Sequence, residues 1–286
     1  MPELPEVEIV KQSLKKKIQH KKIKKVIVSN RNLRFKLHKN FEKILENRFV
    51  KKVLRKSKYL ILGLDNSKYC IIHLGMSGTI HLMDKTKNKN TNLSFYQSPI
   101  LPKKHNHIEI FFSNFKIIYN DPRRFGYFLI IKNKLELEKF FLKIGPEVLS
   151  KKLNFKYLKK KLINRKKNIK NLLLDQNFIS GIGNIYSNEI LFYCKIHPNK
   201  IGFKITNKEI KKLLYFSKFV IKKAIKYGGS SIRDFKNIKG SIGSFQLEFN
   251  VYDRENKKCL IKGCNGKIIK KFISNRSSFF CNICQK

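Results

Sequence analysis

Four of the six cysteines fall within the last 28 residues, as Cys259 and Cys264 and then, after sixteen intervening residues, Cys281 and Cys284. Two such knuckles supply four thiolates for one tetrahedral ion, and zinc is the usual occupant of that donor set. Free thiols in a packed tail are the poorer reading, because so small a module has almost no core without its metal. The run GKIIKKFISNRSSFF between the pairs alternates as a β-hairpin, with Arg276 near its tip. Cys70 and Cys194 read instead as small buried hydrophobes, one in a strand and one at a helix end.

A second pattern opens the chain. Glu3, Glu6 and Glu8 are three of only nineteen acidic residues, yet all lie in the first eight positions. Stabilisation of a helix start accounts for Glu6 and Glu8 but asks less of Glu3, which stands ahead of the helix. Removal of Met1 would leave Pro2 with a secondary amine, whose α-amino pKa of about 8 leaves a useful neutral fraction at working pH. Such an amine can attack an electrophilic sugar carbon and proceed to an iminium, as lysines do in Schiff bases.

Positioning these groups requires three kinds of structure. Residues 5–17 predict a helix, with Pro5 in its first turn and Val7, Val10, Leu14 and Ile18 on one face. From about residue 22 to 131 short apolar runs (KVIVS, YLILGL, CIIHL, HIEIFF, FKIIY, YFLII) predict strands of a β-sandwich or barrel-like domain. A long polar loop is expected over 84–106. Helices are expected at about 134–143, 154–164, 168–175, 184–194 and 206–227, followed by a Gly- and Ser-rich, mobile stretch over 228–245. The expected division is 1–133, 134–245 and 246–286. No run of 18 apolar residues suggests a membrane span, and the acidic start lacks the features of a signal peptide, so a cytosolic or nucleoid location is expected.

The formal net charge is +45, from 64 Lys and Arg against 19 Asp and Glu, which favours a polyanionic partner such as nucleic acid. Lys, Asn and Ile are all abundant, as an AT-rich genome would produce. Charge alone therefore does not separate an enzyme acting on nucleic acid from a ribosome-associated binder.

The segments MPELPEVE, SKYLIL, IIHLGMSG, DPRRFG, GIGNIY and NVYDR, with the C-x4-C-x16-C-x2-C tail, occur along essentially the whole chain. In that order they resemble bacterial formamidopyrimidine-DNA glycosylase, of the Fpg/Nei family. The resemblance implies an α+β multidomain protein: an N-terminal β-sandwich with a leading helix, a helix–two-turn–helix domain and a C-terminal zinc-finger β-hairpin. It implies excision of oxidised purines from duplex DNA and strand cleavage by β,δ-elimination, with one structural Zn2+ and a monomeric state. Pro2 would attack C1′ of a flipped nucleotide, Glu3 would move protons near the sugar, and Glu6 would support the end of the first helix.

By the same resemblance Lys58, His73, Asn184, Tyr252 and Arg276 would grip phosphates, and Lys170 would lie near the lesion pocket. From residue type alone each has an ordinary reading: Lys58 as a solvated strand-end lysine, His73 as a packed histidine, Asn184 as a helix N-cap. Met76, Arg123 and Phe125 match the residues that fill the space left by the flipped base; otherwise they read as a loop methionine, a surface arginine and a core phenylalanine. Ser230, Ser231 and Arg233 align with a loop covering the everted purine. Two departures stand out: C-x4-C where C-x2-C is usual, and unusual detail in the 84–106 loop and in the cover loop GGSSIRDF. Endonuclease VIII, a sister enzyme for oxidised pyrimidines, shares Pro2 and Glu3, but Leu4 and DPRRFG favour the purine enzyme. A non-catalytic zinc-bearing binder is the alternative from another class.

Overall fold

In the computed structural model, residues 2–84, 90–92, 103–230 and 244–286 are described. They divide into two compact units, Met1–Leu142 with Tyr227–Ser244, and Lys143–Lys226 with Phe245–Lys286. Among the described residues no helix is long and apolar enough to cross a membrane.

The first unit begins with helix α1 (Leu4–Ile18). The strands β1 (Lys25–Val28), β2 (Val50–Lys56), β3 (Tyr59–Leu64), β4 (Tyr69–His73), β5 (Thr79–Asp84), β6 (Asn90–Asn92), β7 (Asn106–Phe111), β8 (Phe115–Asn120) and β9 (Tyr127–Ile131) follow, with a short helix α2 (Phe41–Leu45) after β1. Helix α3 (Lys134–Phe141) closes this run and lies within the same unit. The strands form two antiparallel sheets, ordered β1-β7-β8-β5-β6 and β2-β3-β4-β9.

One core holds both sheets and the helix. Leu60, Leu62, Ile72 and Phe128 from one sheet join Ile80, Leu82, Ile110 and Ile117 from the other, with Val7, Val10, Leu14 and Ile18 of α1. This is the sandwich with a leading helix expected from period-two apolar runs. The polar run 84–106, expected as loop throughout, contains β6, which pairs His81↔Asn92, Leu82↔Thr91 and Met83↔Asn90 with β5. Residues 85–89 and 93–102 of that run lie outside the described residues, as do Ser231, Arg233 and the rest of the stretch 231–243.

The second unit carries α4 (Phe155–Leu162), α5 (Ile169–Leu174), α6 (Asn184–Cys194) and α7 (Asn207–Lys226), then the hairpin β10 (Ile268–Ile273) and β11 (Arg276–Cys281). Ser274 and Asn275, both at positive φ, make its two-residue turn, which fits the twist of a tight hairpin. The hairpin packs Ile268, Phe279 and Cys281 against Phe192 of α6 and Val251, so the cysteine module borrows its core from the helices.

Candidate active site

Pro2 and Glu3 are buried, Glu3 being 2% exposed. Glu3 is the N-cap of α1 and forms a capping box with Glu6, whose Oε2 accepts the Glu3 backbone N–H at 2.9 Å. Glu3 therefore has a place in the helix start that the sequence reading did not give it. The other oxygen of Glu6 accepts the Ser230 N–H at 2.8 Å and its hydroxyl at 3.0 Å. One buried carboxylate thus fixes the backbone beside Pro2 and ties it to the residue at which the 231–243 stretch begins. Gly229 makes this approach possible: its φ is +84°, and a Cβ there would lie 3.1 Å from Glu6 Oε1.

Lys58 lies with Ser57 in the turn joining β2 and β3, one position before the strand that the sequence suggested. It is 5% exposed. Among the described residues Lys58 and Lys170 are the only buried lysines or arginines, in a chain with 64 Lys and Arg. Burial thus separates these two from the solvated lysines, as residue type could not. Arg55 braces the turn: its Nε donates to Glu8 of α1 at 2.8 Å and its Nη1 to the Ser57 carbonyl at 2.8 Å. Burial raises the Glu8 pKa, but the bonds from Lys11, Arg55 and Gln12 outweigh it and hold the carboxyl below its ordinary range.

His73 pairs with Tyr59 across β3 and β4 and stacks on Tyr127 at 5.2 Å. Burial, with the charges of Lys58 and Arg34, pushes its pKa down to about 4, so the ring is neutral at pH 7. Its Nδ1 accepts the Gly75 N–H at 3.1 Å, which leaves Nε2–H as the donor for a ligand.

Met76 and Phe125 are 37% and 40% exposed, and the Arg123 guanidinium sits 4.5 Å from the Phe125 ring centroid. Neither apolar side chain is the packed core residue that composition alone would suggest for Phe125. Beneath them Asp121 is fully buried. Its Oδ1 accepts from Ser77 Oγ and from the Arg123 N–H at 3.3 Å; Oδ2 accepts from Tyr119 OH and the Gly126 N–H, both at 2.9 Å. Burial and the Asp121 charge push the Tyr119 phenol pKa up, so it remains a donor.

The second unit contributes a separate cluster. Asn184 is the first residue of α6, not its N-cap, which is Gly183. Its Nδ2 donates to the Ser277 carbonyl at 3.0 Å. Lys170 Nζ donates to the same carbonyl at 2.9 Å and to Ser278 Oγ at 2.5 Å, and Asn188 accepts the Phe279 N–H at 3.0 Å. Side chains of α5 and α6 thus satisfy the outer edge of β11 and fix the strand that begins at Arg276, which is exposed beside the turn. Tyr252 packs against Phe279, with ring centroids 5.1 Å apart. Its N–H donates to buried Glu189 at 2.9 Å, as do those of Val251 and Asn250 at 3.0 Å each. Burial raises the Glu189 pKa, against the lowering effect of these donors.

The four cysteines converge, with all Sγ atoms within 4.8 Å of one another. Separations of 3.9 Å (Cys259–Cys284) and 3.7 Å (Cys264–Cys281) match the edge of about 3.8 Å set by four metal–sulfur bonds of about 2.3 Å in a tetrahedron. Cys264 and Cys284 are closer, at 3.1 Å. Backbone N–H groups of Gly266 and Cys284 point at Cys264 and Cys281 sulfurs at 3.3 and 3.4 Å, as thiolate ligands require. A Cβ on Gly266 would lie 2.5 Å from the Cys281 sulfur. Within the C-x4-C segment Gly263 has φ +77° with open space around it, and the β10–β11 register is unbroken.

Asp121, Glu189, Asn188, Arg55 and Ser77 were missed by sequence reasoning. The usable signal was the rarity of acids: a lone carboxylate in the apolar helix NEILFYC, and another at the head of DPRRFG.

Residues 1–128 match the family model for the formamidopyrimidine-DNA glycosylase N-terminal domain, and residues 144–236 the model for its H2TH domain. The chain is 40% identical over 286 residues to the formamidopyrimidine-DNA glycosylase of Wolbachia pipientis subsp. Culex pipiens, with all of both chains covered. It is 41% identical over 287 residues to that of Rickettsia bellii, again with full coverage of both. Among solved structures it is similar to Lactococcus lactis Fpg in complex with abasic-site DNA, at TM-score 0.87, 32% identity and 99% coverage of each chain. A complex of the same protein with DNA containing N7-benzyl-Fapy-dG has TM-score 0.87, 32% identity and full coverage of both chains.

Proposed function

This chain belongs to the formamidopyrimidine-DNA glycosylase family, a family of base-excision-repair enzymes, and from that premise we propose a bifunctional glycosylase and AP lyase for oxidised purines in duplex DNA. The observation that carries the reading is the buried chain start, where Pro2 lies at the positive end of α1 beside Glu3 and is braced by Glu6.

After loss of Met1, the Pro2 nitrogen attacks C1′ of the everted nucleotide. The bond from C1′ to the base breaks, and the base leaves with the proton that the Pro2 nitrogen gives up. Glu3 protonates the sugar ring oxygen as the ring opens, giving an iminium between Pro2 and C1′. The iminium acidifies C2′; loss of its proton expels the 3′ phosphate, and a second elimination expels the 5′ phosphate. A one-nucleotide gap with phosphate ends remains.

Lys58, neutral His73 with its Nε2–H, Asn184, Tyr252 and Arg276 position the flanking phosphates. Lys170 buttresses β11 as it stands, and reaching a lesion would require it to exchange its serine partners. Met76, Arg123 and Phe125 fill the vacated space. Cys259, Cys264, Cys281 and Cys284 hold one Zn2+, which shapes the hairpin and takes no part in bond breaking. The three-part division at 133 and 245, a monomeric state and action at the nucleoid belong to the same reading.

Borohydride trapping on a duplex with 8-oxoguanine opposite cytosine, followed by mass spectrometry, is expected to place the adduct on residue 2. An adduct elsewhere, or equal cutting by protein with an extension ahead of Pro2, refutes the mechanism. Preference for thymine glycol over 8-oxoguanine refutes the substrate class.

A further inference from the structure

We propose that Asp121 is a positioning residue that locks the Met76 turn and the Arg123–Phe125 loop into one rigid wedge for displacing the lesion; this rests on the reading of those side chains as void fillers. Its two oxygens take donors from both segments: Ser77, next to Met76, and Arg123 N–H on one; Tyr119 OH and Gly126 N–H, next to Phe125, on the other. The two backbones touch where they must. A Cβ on Gly75 (φ +67°) would lie 2.5 Å from Gly126 N and Phe125 C, so the turn carrying Met76 seats directly on the loop carrying Phe125. Gly78 and Gly126 leave the room that Tyr119 uses to reach Asp121: Cβ atoms there would lie 2.5 and 1.8 Å from its hydroxyl. The peptide of Asp121 is itself anchored, its carbonyl accepting from His107 Nε2 at 2.8 Å and its N–H donating to the His105 carbonyl at 3.0 Å.

A wedge works only if it does not yield when the base pair pushes back. Met76 and Phe125 are exposed at the surface, and the backbone that carries them is held from below. Asp121 supplies that hold. A substituted amide cannot: an Asn has one acceptor oxygen, and its NH2 would face either the Arg123 or the Gly126 N–H. Ser77 or Tyr119 can turn its hydroxyl to accept, but a backbone N–H cannot.

The test compares Asp121→Asn with Tyr119→Phe, which keeps the ring and removes one donor, so that a folding failure of the first leaves a second probe. Single-turnover base release is measured on 8-oxoguanine paired with cytosine. Strand cleavage is measured at a preformed abasic site, where no base has to be extruded. For D121N the ratio of base release to abasic cleavage is expected to fall about tenfold or more, and for Y119F about threefold, the scale on which small misplacements act. Fluorescence of 2-aminopurine beside the lesion should show slower unstacking in both. Equal loss in both reactions, or no change in the ratio for either variant, overturns the proposal. Phe125→Ala separates the premise from the inference. If F125A leaves the ratio unchanged, the void-filling reading fails; if F125A lowers it while D121N and Y119F do not, Asp121 alone has been misread.

Discussion

Replacing Glu6 by Gln tests how the catalytic end of α1 is held. The carboxylate accepts the Glu3 N–H through one oxygen and two donors of Ser230 through the other, at 2.8–3.0 Å and 2% exposure. A Gln has one acceptor oxygen. Turned toward Glu3, it preserves the cap and sets its NH2 against the Ser230 N–H; the Ser230 hydroxyl can rotate to accept, the amide cannot. Turned toward Ser230, it opens the capping box instead. Either way one buried N–H is orphaned and the remaining bonds lose their charge assistance, for a cost of about 2–4 kcal/mol. Ser230 belongs to neither sheet and is held by Glu6 and an isolated bridge to Ser244, so the cost is expected as local opening. Hydrogen exchange at the Ser230 amide should accelerate by roughly 30- to 1000-fold in E6Q, at 1.36 kcal/mol per decade. Base release should fall with it. Unchanged Ser230 protection in a folded E6Q protein would show that the carboxylate is not what holds this segment.

Two further outcomes concern a pair of histidines and the cysteine cluster. Burial is the first cause that lowers both His73 and His81 to about 4 from 6.5. The unfolded chain takes up these protons below about pH 6.5 and the folded protein does not until about pH 4, so stability is full above 6.5 and is lost as pH falls through that window. At 1.36 kcal/mol per unit the loss is about 2 kcal/mol per histidine by pH 5. Urea titrations from pH 7 to 5 measure it, and a flat profile refutes the assignment. Gly266→Ala, whose Cβ would collide with the Cys281 sulfur, should release metal to a chelator at least tenfold faster and reduce DNA nicking in parallel; equal release rates would mean that the four sulfurs are not a metal site.

The sequence made α1 legible because apolar periodicity, a first-turn proline and acidic first-turn residues agree; the expected 5–17 became Leu4–Ile18. The cysteine spacing was legible for the same reason: one chemistry explains all four residues. β2 was not. Its burial follows Val50 and Val53 around a register shift at Val50/Lys52, and lysines, Arg55 and the exposed Leu54 occupy the rest, so no alternation survives in VKKVLRK. β5 was hidden because two of its buried positions, Thr79 and His81, are polar and satisfy each other at 2.7 Å. In the site, Pro2 and Glu3 could be singled out by position. Asp121 and Glu189 could not, because their importance lies in donors supplied by segments that only the fold brings near.

Burial explains why the site can be recognised despite the composition. Drift toward lysine can recolour a solvated surface at little cost, since exposed charges and ion pairs contribute little. It cannot place a charge inside, where desolvation costs several kcal/mol unless donors or acceptors are waiting. The buried acids among the described residues are Glu3, Glu6, Asp121 and Glu189, and the buried lysines are Lys58 and Lys170. Glu6, Asp121 and Glu189 each accept at least three hydrogen bonds, and Lys170 donates two. A net charge of +45 therefore says little about which lysines matter, whereas a lysine held inside against that cost, as Lys58 and Lys170 are, is not explained by composition at all.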